Sequence, residues 1–138
     1  MLAVLQGVPS AWDIDLFAPL LTEAELITGL KYGQDPAVDI SMRIFADHAR
    51  TTALLISDGV FPSNEERGYV LRRIIRRAVR HAWTLGVEDV VMPRLVEVVC
   101  DVMGDHYSEL QDNLALVKDV VGREEEQFRR TLATGSQI

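Results

Sequence analysis

The sequence predicts an all-α protein, with residues 1–138 forming a single helical domain of about five helices and no sheet. Apolar residues recur at helical spacing in every long segment, no useful stretch alternates apolar and polar residues, and Gly or Pro separates the segments. The chain has 138 residues, of which 48% are hydrophobic and 25% charged. That length suits one domain with a real core and is too short for two.

The first two predicted helices follow from periodicity and from the breakers that end them. Asp15–Leu30 has apolar residues at helical spacing with an early proline, and breakers follow it. Asp39–Ser57 starts with the cap candidates Asp39 and Ser41, carries one broad apolar face, and is followed by Gly59.

The third predicted helix begins after a turn. Residues 58–64, DGVFPSN, have turn chemistry. Ser63 and Glu66 fit a capping box, in which the Ser hydroxyl accepts from the Glu66 amide and the carboxylate reaches back to Ser63. The helix is therefore expected from about Asn64 to Leu85, with Gly86 as the stop.

Two more helices complete the prediction. They are Glu88–Met103 and Ser108–Thr134, divided by Gly104. Gly122 lies inside the second and is expected to bend it, at a cost of about 1 kcal/mol relative to Ala.

The net charge of −7 hides a basic centre. Residues 43–81 hold eight arginines against four acids, net +4, whereas residues 1–42 have a net charge of −5 and residues 82–138 of −6. Association follows the local field more than the total charge, so the total alone does not exclude an anionic partner.

The basic centre lies on the segment Arg67–His81, which contains no acid. At about 100° per residue, five arginines fall within about 140° of one another, with Tyr69 among them and apolar residues on the opposite side. We call these five the arginine face: Arg72, Arg73, Arg76, Arg77 and Arg80. The opposite side, which includes Ile74, Ile75, Ala78 and Val79, is expected to be buried.

Two interpretations of the arginine face remain open from the residues alone. It is either a solvated surface paired with acids of neighbouring helices, or a binding surface for a polyanion, of which RNA and DNA are the leading candidates. The chain has only two lysines, and Arg is favoured where planar, bidentate phosphate contacts matter. Composition does not separate RNA from DNA.

Other candidate residues favour structural roles. Cys100 lies among apolar residues and is expected in the core, and one cysteine with three scattered histidines predicts no disulfide and no metal site. His48 lacks a partner nucleophile at suggestive spacing. The run 124–126, EEE, points in different directions on a helix, so it predicts a solvated face or ion-pair partners for the arginine face rather than an acid/base pair. We expect no catalytic residue in this chain.

No segment approaches the apolar length of about 20 residues that spans a bilayer, and residues 1–9 lack the basic residues and cleavage pattern of a signal peptide. Together with the single cysteine, which is typical of a reducing compartment, this predicts a cytoplasmic location without a membrane partner.

Several segments resemble one family in order and spacing. They are ADHAR (46–50), DGVFPSNEERGYVLRRIIRRAVRH (58–81), DVMGD (101–105) and EEEQFRRTL (124–132), after the opening MLAVLQGV and DIDLF. Together they closely resemble the part of alanyl-tRNA synthetases, class II aminoacyl-tRNA synthetases, that follows the catalytic core. Two departures are visible: Glu66 stands where the family often has Gly, and Gly122 and Arg123 stand where a helix-forming residue is usual.

The resemblance implies a helical tRNA-recognition domain that is a fragment of a larger ligase. The third class II motif, with the Arg that holds ATP, would lie just before Met1, and the editing and oligomerisation regions would follow residue 138. The parent enzyme is expected to use ATP and Mg²⁺ to attach alanine to its tRNA, with zinc in its editing region, while the fragment itself has no cofactor and no activity. The implied partners are the tRNA(Ala) acceptor stem and the remaining domains of the parent, with no DNA.

The resemblance also implies residue roles. Asn64 matches the family residue that contacts the G·U wobble pair of the acceptor stem, and an amide offers both a donor and an acceptor for the shallow minor groove. The implied RNA-binding set is Asn64, Arg67, Tyr69, Arg72, Arg73, Arg76, Arg77 and Arg80. The alternatives are that Asn64 only starts a helix, that the arginine face docks an acidic protein surface in a scaffold role, or, more remotely, that the chain is an independent enzyme.

Overall fold

The computed structural model describes residues 11–105 and 107–135, with side chains from Phe17 onward. Six α-helices make up this part of the chain, and no strand occurs in it, which confirms the all-α class. The helices are α1 (Ala11–Thr28), α2 (Pro36–Ser57), α3 (Glu66–Thr84), α4 (Met92–Met103), α5 (Ser108–Asp112) and α6 (Leu114–Thr134).

Helix α4 lies at the centre of the packing, against α1, α2 and α6, while α3 packs between α2 and α6. The core is formed by apolar side chains from these helices, and every buried helix face contributes to it. The largest fully buried apolar side chains are Leu20, Met42, Phe45, Ile56, Leu71, Ile75, Met92, Leu95, Met103 and Leu110. None of the helices in the described part of the chain combines the length and apolarity needed to cross a bilayer.

Helix α2 begins earlier than predicted. Pro36 occupies its first turn, and the Asp35 carboxylate caps it by accepting from the Ala37 amide at 2.9 Å. The predicted cap candidate Asp39 lies inside the helix and accepts from the Gly33 amide at 2.8 Å instead. The predicted start was therefore wrong because Pro is well placed at a helix start, not only as a breaker.

The last predicted helix, Ser108–Thr134, is two helices. Asn113 ends α5 and precedes α6, with φ −101° and ψ 8°, and its side-chain amide donates to the Ser57 hydroxyl of α2 at 3.1 Å. The described residues therefore have six helices where about five were predicted, since a polar residue that bonds a distant helix leaves no mark on apolar periodicity. Gly122 lies within the continuous α6.

The start of α4 depends on a buried carboxylate. Glu125 of α6 is fully buried and accepts from the amides of Val91 and Met92, both at 2.8 Å. Arg129 donates to the same carboxylate from Nε at 2.9 Å and to the Val87 carbonyl from Nη1 at 2.8 Å. The ion pair between Glu125 and Arg129 is local, but their contacts with the start of α4 and with Val87 lie more than 30 positions away, so the role of this pair was not predicted from the sequence.

Candidate nucleic-acid interface

The turn before α3 is held against the helix by close backbone contacts. The Ser63 amide donates to the Gly68 carbonyl at 3.1 Å, and Gly68 is buried beneath the turn. A Cβ at Gly68 would meet the Ser63 hydroxyl and the Phe61 carbonyl, so only glycine allows this approach. The turn that carries Asn64 therefore has a defined position on α3.

The capping box predicted for this turn is absent. The Ser63 hydroxyl accepts from the Glu65 amide at 3.3 Å and donates to the Glu65 carbonyl at 3.0 Å, and the helix begins at Glu66. Glu66 has φ 52°, in the left-handed region, so its backbone departs from the geometry that the box requires. This is the position where the resembled family often has Gly.

Asn64 is exposed at the end of the turn, next to the arginine face. Its Oδ1 accepts from Arg72 Nη1 at 2.7 Å. The structure thus brings two predicted site residues together, although they are eight positions apart in the sequence.

Helix α3 is rotated relative to the predicted orientation. At about 100° per residue, its buried residues are centred about 40° away from the middle of the predicted apolar arc, towards Arg72 and Arg76. Ile75, Ala78 and Val79 are buried as predicted, but Ile74 is half-buried and Val70 is 52% exposed. The prediction of one apolar ridge is therefore correct in its middle and wrong at one edge.

The rotation divides the arginine face into two groups. Arg73, Arg77 and Arg80 are exposed, as is Arg67, and within the described residues none of these four forms an ion pair. Arg72 and Arg76 are half-buried instead, with side chains 21% and 30% exposed. The five arginines therefore do not form one equally accessible face, because the side chains of Arg72 and Arg76 are partly buried.

The buried partner of Arg72 and Arg76 is Glu124 of α6. Its Oε2 lies 2.8 Å from Arg76 Nε and 3.2 Å from Arg72 Nε, and its side chain is only 4% exposed. Phe128 follows on the same helix face, and its ring centre lies 5.0 Å from the Arg76 guanidinium carbon. Of the two expectations for the EEE run, Glu124 confirms the ion pair with the arginine face.

The burial of Glu124 and the place of Phe128 beside Arg76 were not predicted from the sequence. The signal was present, because Glu124 occupies a position at helical spacing between the apolar residues Val117, Val121 and Phe128, all of them buried. A carboxylate within an apolar stripe needs a cation, and α3 is the richest source of cations in the chain.

The exposed side of α3 forms an open groove of about 640 Å³. It is lined by His48, Val70, Arg73, Ile74, Arg76, Arg77, Arg80 and Phe128. Tyr69 is 46% exposed beside it, and the Arg73 guanidinium carbon lies 5.8 Å from the centre of the Tyr69 ring. The groove therefore combines cationic groups with apolar and aromatic surface, a composition suited to a phosphate backbone with its attached sugars and bases.

Two histidines flank Arg77. Burial lowers the pKa of His48, with a smaller lowering by the Arg77 charge, while Asp47 opposes both effects. Burial also lowers the pKa of His81, helped by the charges of Arg77 and His48, and its Nδ1 shares a hydrogen bond with the Ser41 hydroxyl at 2.9 Å. Both rings are therefore favoured in the neutral form, so the positive potential of the groove comes from arginine.

Cys100 is fully buried, and burial raises the pKa of its thiol to about 11. A thiol that stays protonated at neutral pH is a poor nucleophile, so its place in the core agrees with the prediction. Across the described residues, no group of three or more His, Cys, Asp or Glu side chains is arranged to hold a metal ion.

Comparison with known proteins assigns the family. A family model described as tRNA synthetases class II (A) matches residues 1–138. The chain is 51% identical over 138 residues to an alanine–tRNA ligase of Frankia casuarinae and 47% identical over 136 residues to one of Thermotoga petrophila. It is 46% identical over 138 residues to an alanine–tRNA ligase of Halalkalibacterium halodurans.

These matches cover 99–100% of this chain but only 16% of each relative. The chain thus spans about a sixth of the length of the curated relatives it matches. On the match of its whole length, the chain belongs to the class II (A) family of tRNA synthetases.

Proposed function

We propose that this chain is the helical tRNA-recognition domain of an alanine–tRNA ligase, and that the groove on α3 holds the acceptor stem. In that role, the exposed arginines contact phosphates and fix the position of the stem, while Asn64 contacts a base pair in its minor groove. The complete ligase would supply ATP, Mg²⁺ and alanine chemistry from its other domains.

The observation that carries the proposal is the group of exposed arginines of α3 without ion pairs among the described residues, next to the turn that bears Asn64. Arg67 and Arg80 are separated by about 20 Å along α3, at about 1.5 Å per residue, which is long enough to follow several phosphates. Clustered like charges repel one another, and a bound polyanion removes that repulsion. The similarity to alanine–tRNA ligases over the whole chain supports tRNA as the polyanion.

The phosphate contacts are tested by direct binding. The 138-residue chain is titrated with an acceptor-stem RNA hairpin at salt concentrations from about 50 to 200 mM. Arg73→Ala should weaken binding of any stem about equally and make the salt slope shallower by about one unit, because fewer counterions are released. Arg94→Ala is the matched control, since Arg94 lies on α4 and pairs with Glu23 at 2.6 Å.

Two results would contradict the proposal. Equal losses for Arg73→Ala and Arg94→Ala would mean that α3 has no special role. Binding of a polyglutamate peptide with the affinity and salt slope of the RNA hairpin would favour the docking of an acidic protein surface.

The base contact is tested by charging. In the ligase that carries this segment, Asn64→Ala should lower the preference for a G·U over a G·C stem roughly 5- to 150-fold, with little change in salt slope, as for a lost specific groove contact of about 1–3 kcal/mol. An unchanged ratio between the two stems would limit Asn64 to a structural role at the helix start.

A further inference from the structure

A buried carboxylate lies beneath the arginine face and engages two of its members. Glu124 Oε2 contacts the Nε atoms of both Arg72 and Arg76, at 3.2 and 2.8 Å. Because its side chain is 4% exposed, Glu124 cannot itself contact a ligand in the groove. Any effect of Glu124 on a ligand must therefore pass through these arginines.

Arg72 lies between Glu124 and the turn that contains Asn64. While its Nε lies against Glu124, its Nη1 donates to Asn64 Oδ1 at 2.7 Å. A guanidinium has donors and no acceptor, so the Asn64 amide must turn its oxygen towards Arg72. The amide NH₂ group of Asn64 is then on the side away from Arg72.

The contacts that link Glu124, Arg72 and Asn64 restrict the rotamers of the Arg72 and Asn64 side chains. An exposed Arg or Asn ordinarily samples several rotamers, and ordering such side chains on binding opposes affinity. Here Arg72 is attracted by the buried Glu124 charge, which lies 3.2 Å from its Nε without a hydrogen bond to that atom, and its Nη1 donates a hydrogen bond to the amide. Asn64 is thus presented in one orientation before any ligand arrives, although it lies in an exposed turn.

We propose that Glu124 is a positioning residue for RNA recognition, which acts through Arg72 to direct the Asn64 amide donors towards an acceptor in the minor groove of the stem. The inference rests on the proposed function, because it assigns Asn64 to the base contact. It adds a residue on another helix, 60 positions away, as a determinant of specificity.

The test compares carboxylates on α6 in the ligase that carries this segment. Glu124→Gln keeps the shape of the side chain but removes the charge that orients Arg72. It should lower the charging ratio of G·U to G·C stems about 5- to 20-fold, in the lower part of the range for loss of the base contact itself. Glu126→Gln is the control, since Glu126 is the exposed neighbour on the same helix, and should leave the ratio unchanged.

A second variant addresses the stability of the fold, because Glu124→Gln leaves two arginines without their buried partner. Arg72→Lys keeps Glu124 charged and paired, but an ammonium lacks the planar fork that spans Glu124 and Asn64. It should lower the same ratio to a similar extent with little change in the melting temperature.

The outcomes separate the two proposals. If Asn64→Ala lowers the ratio while Glu124→Gln and Arg72→Lys leave it unchanged, the positioning role is wrong and the base contact stands. If Asn64→Ala leaves the ratio unchanged, the base contact itself fails. The variant Asn64→Ala/Glu124→Gln should lose no more than Asn64→Ala alone, and additive losses would show that Glu124 acts independently of Asn64.

Discussion

Glu66 is strained where the turn enters α3. Its φ of 52° is in the left-handed region, where the Cβ of an L-residue crowds the following carbonyl at a cost of about 1–2 kcal/mol. Its neighbours hold it there, because Ser63 bonds Glu65 on one side and Gly68 on the other. The strain is therefore a consequence of fixing the turn that presents Asn64.

Replacing Glu66 should reveal that strain. Glu66→Gly is expected to be more stable than Glu66→Ala by about 1 kcal/mol, because glycine adopts positive φ without the Cβ penalty while both changes remove the same charge. Chemical unfolding of the two variants measures the difference. Equal stability, or a more stable Ala variant, would show that the turn relaxes in solution.

At the scale of the helix, α3 is oriented by two requirements. Its apolar ridge must enter the core, and Arg72 and Arg76 must reach Glu124. A buried carboxylate without its cations is costly, so the helix turns towards α6 and leaves Val70 at the surface.

Two side-chain substitutions on α3 show which of its faces is buried. Ile75→Ala should lower the free energy of unfolding by about 2–5 kcal/mol, as for a large-to-small change at a fully buried site. Val70→Ala, on the same helix but 52% exposed, should change it by less than about 0.5 kcal/mol. Comparable effects at the two positions would mean that α3 is oriented as its apolar arc alone predicts.

Helical periodicity was enough to predict that α3 is an amphipathic helix with buried Ile75 and Val79, because both depend on local spacing. Its rotation could not be predicted that way, since Glu124 is 48 positions from Arg76. The same limit applies to Asn113 and Glu125, which end or begin helices through partners elsewhere in the fold. Local pattern fixes the helices, and distant polar contacts fix their ends and their orientation.

For the whole molecule, neighbouring carboxylates of α6 connect different helices. Glu124 engages α3 and Glu125 engages the start of α4, because successive residues on a helix point about 100° apart. A third acid, Glu126, is exposed. One three-residue run therefore joins the proposed binding surface to the core, which is why α6 belongs to the site although it bears no predicted RNA contact.

The two histidines between α2 and α3 make overall stability depend on pH. Burial lowers the pKa of both His48 and His81, and Arg77 lowers each further while Asp47 partly offsets the shift at His48. In the unfolded chain, the two imidazoles take up protons near the ordinary histidine pKa of 6.5, whereas in the folded protein they do so only at lower pH. Stability should therefore be fully present above that value and fall as the pH drops below it.

Urea unfolding at about pH 7.5 and about pH 5.5 measures the effect, with a lower midpoint expected at the acidic pH. In the double variant His48→Gln/His81→Gln, the urea midpoint should depend less on pH than in the unsubstituted protein. A midpoint that rises towards pH 5.5 in the parent protein would mean that Asp47 dominates and that the histidines gain charge on folding.

The carboxylate of Glu125 also bears on the order in which the molecule is assembled. It lies 34 positions after the Val91 amide that it accepts from, so α4 has no partner for its first amides until α6 has been made and has docked. In a nascent chain that does not yet include α6, the amides at the start of α4 lack the Glu125 carboxylate. When α6 docks, Glu125 accepts from these amides and its neighbour Glu124 accepts from Arg76. Docking of α6 therefore does two things at once in this segment: it completes the core beside α4 and places Glu124 against Arg76.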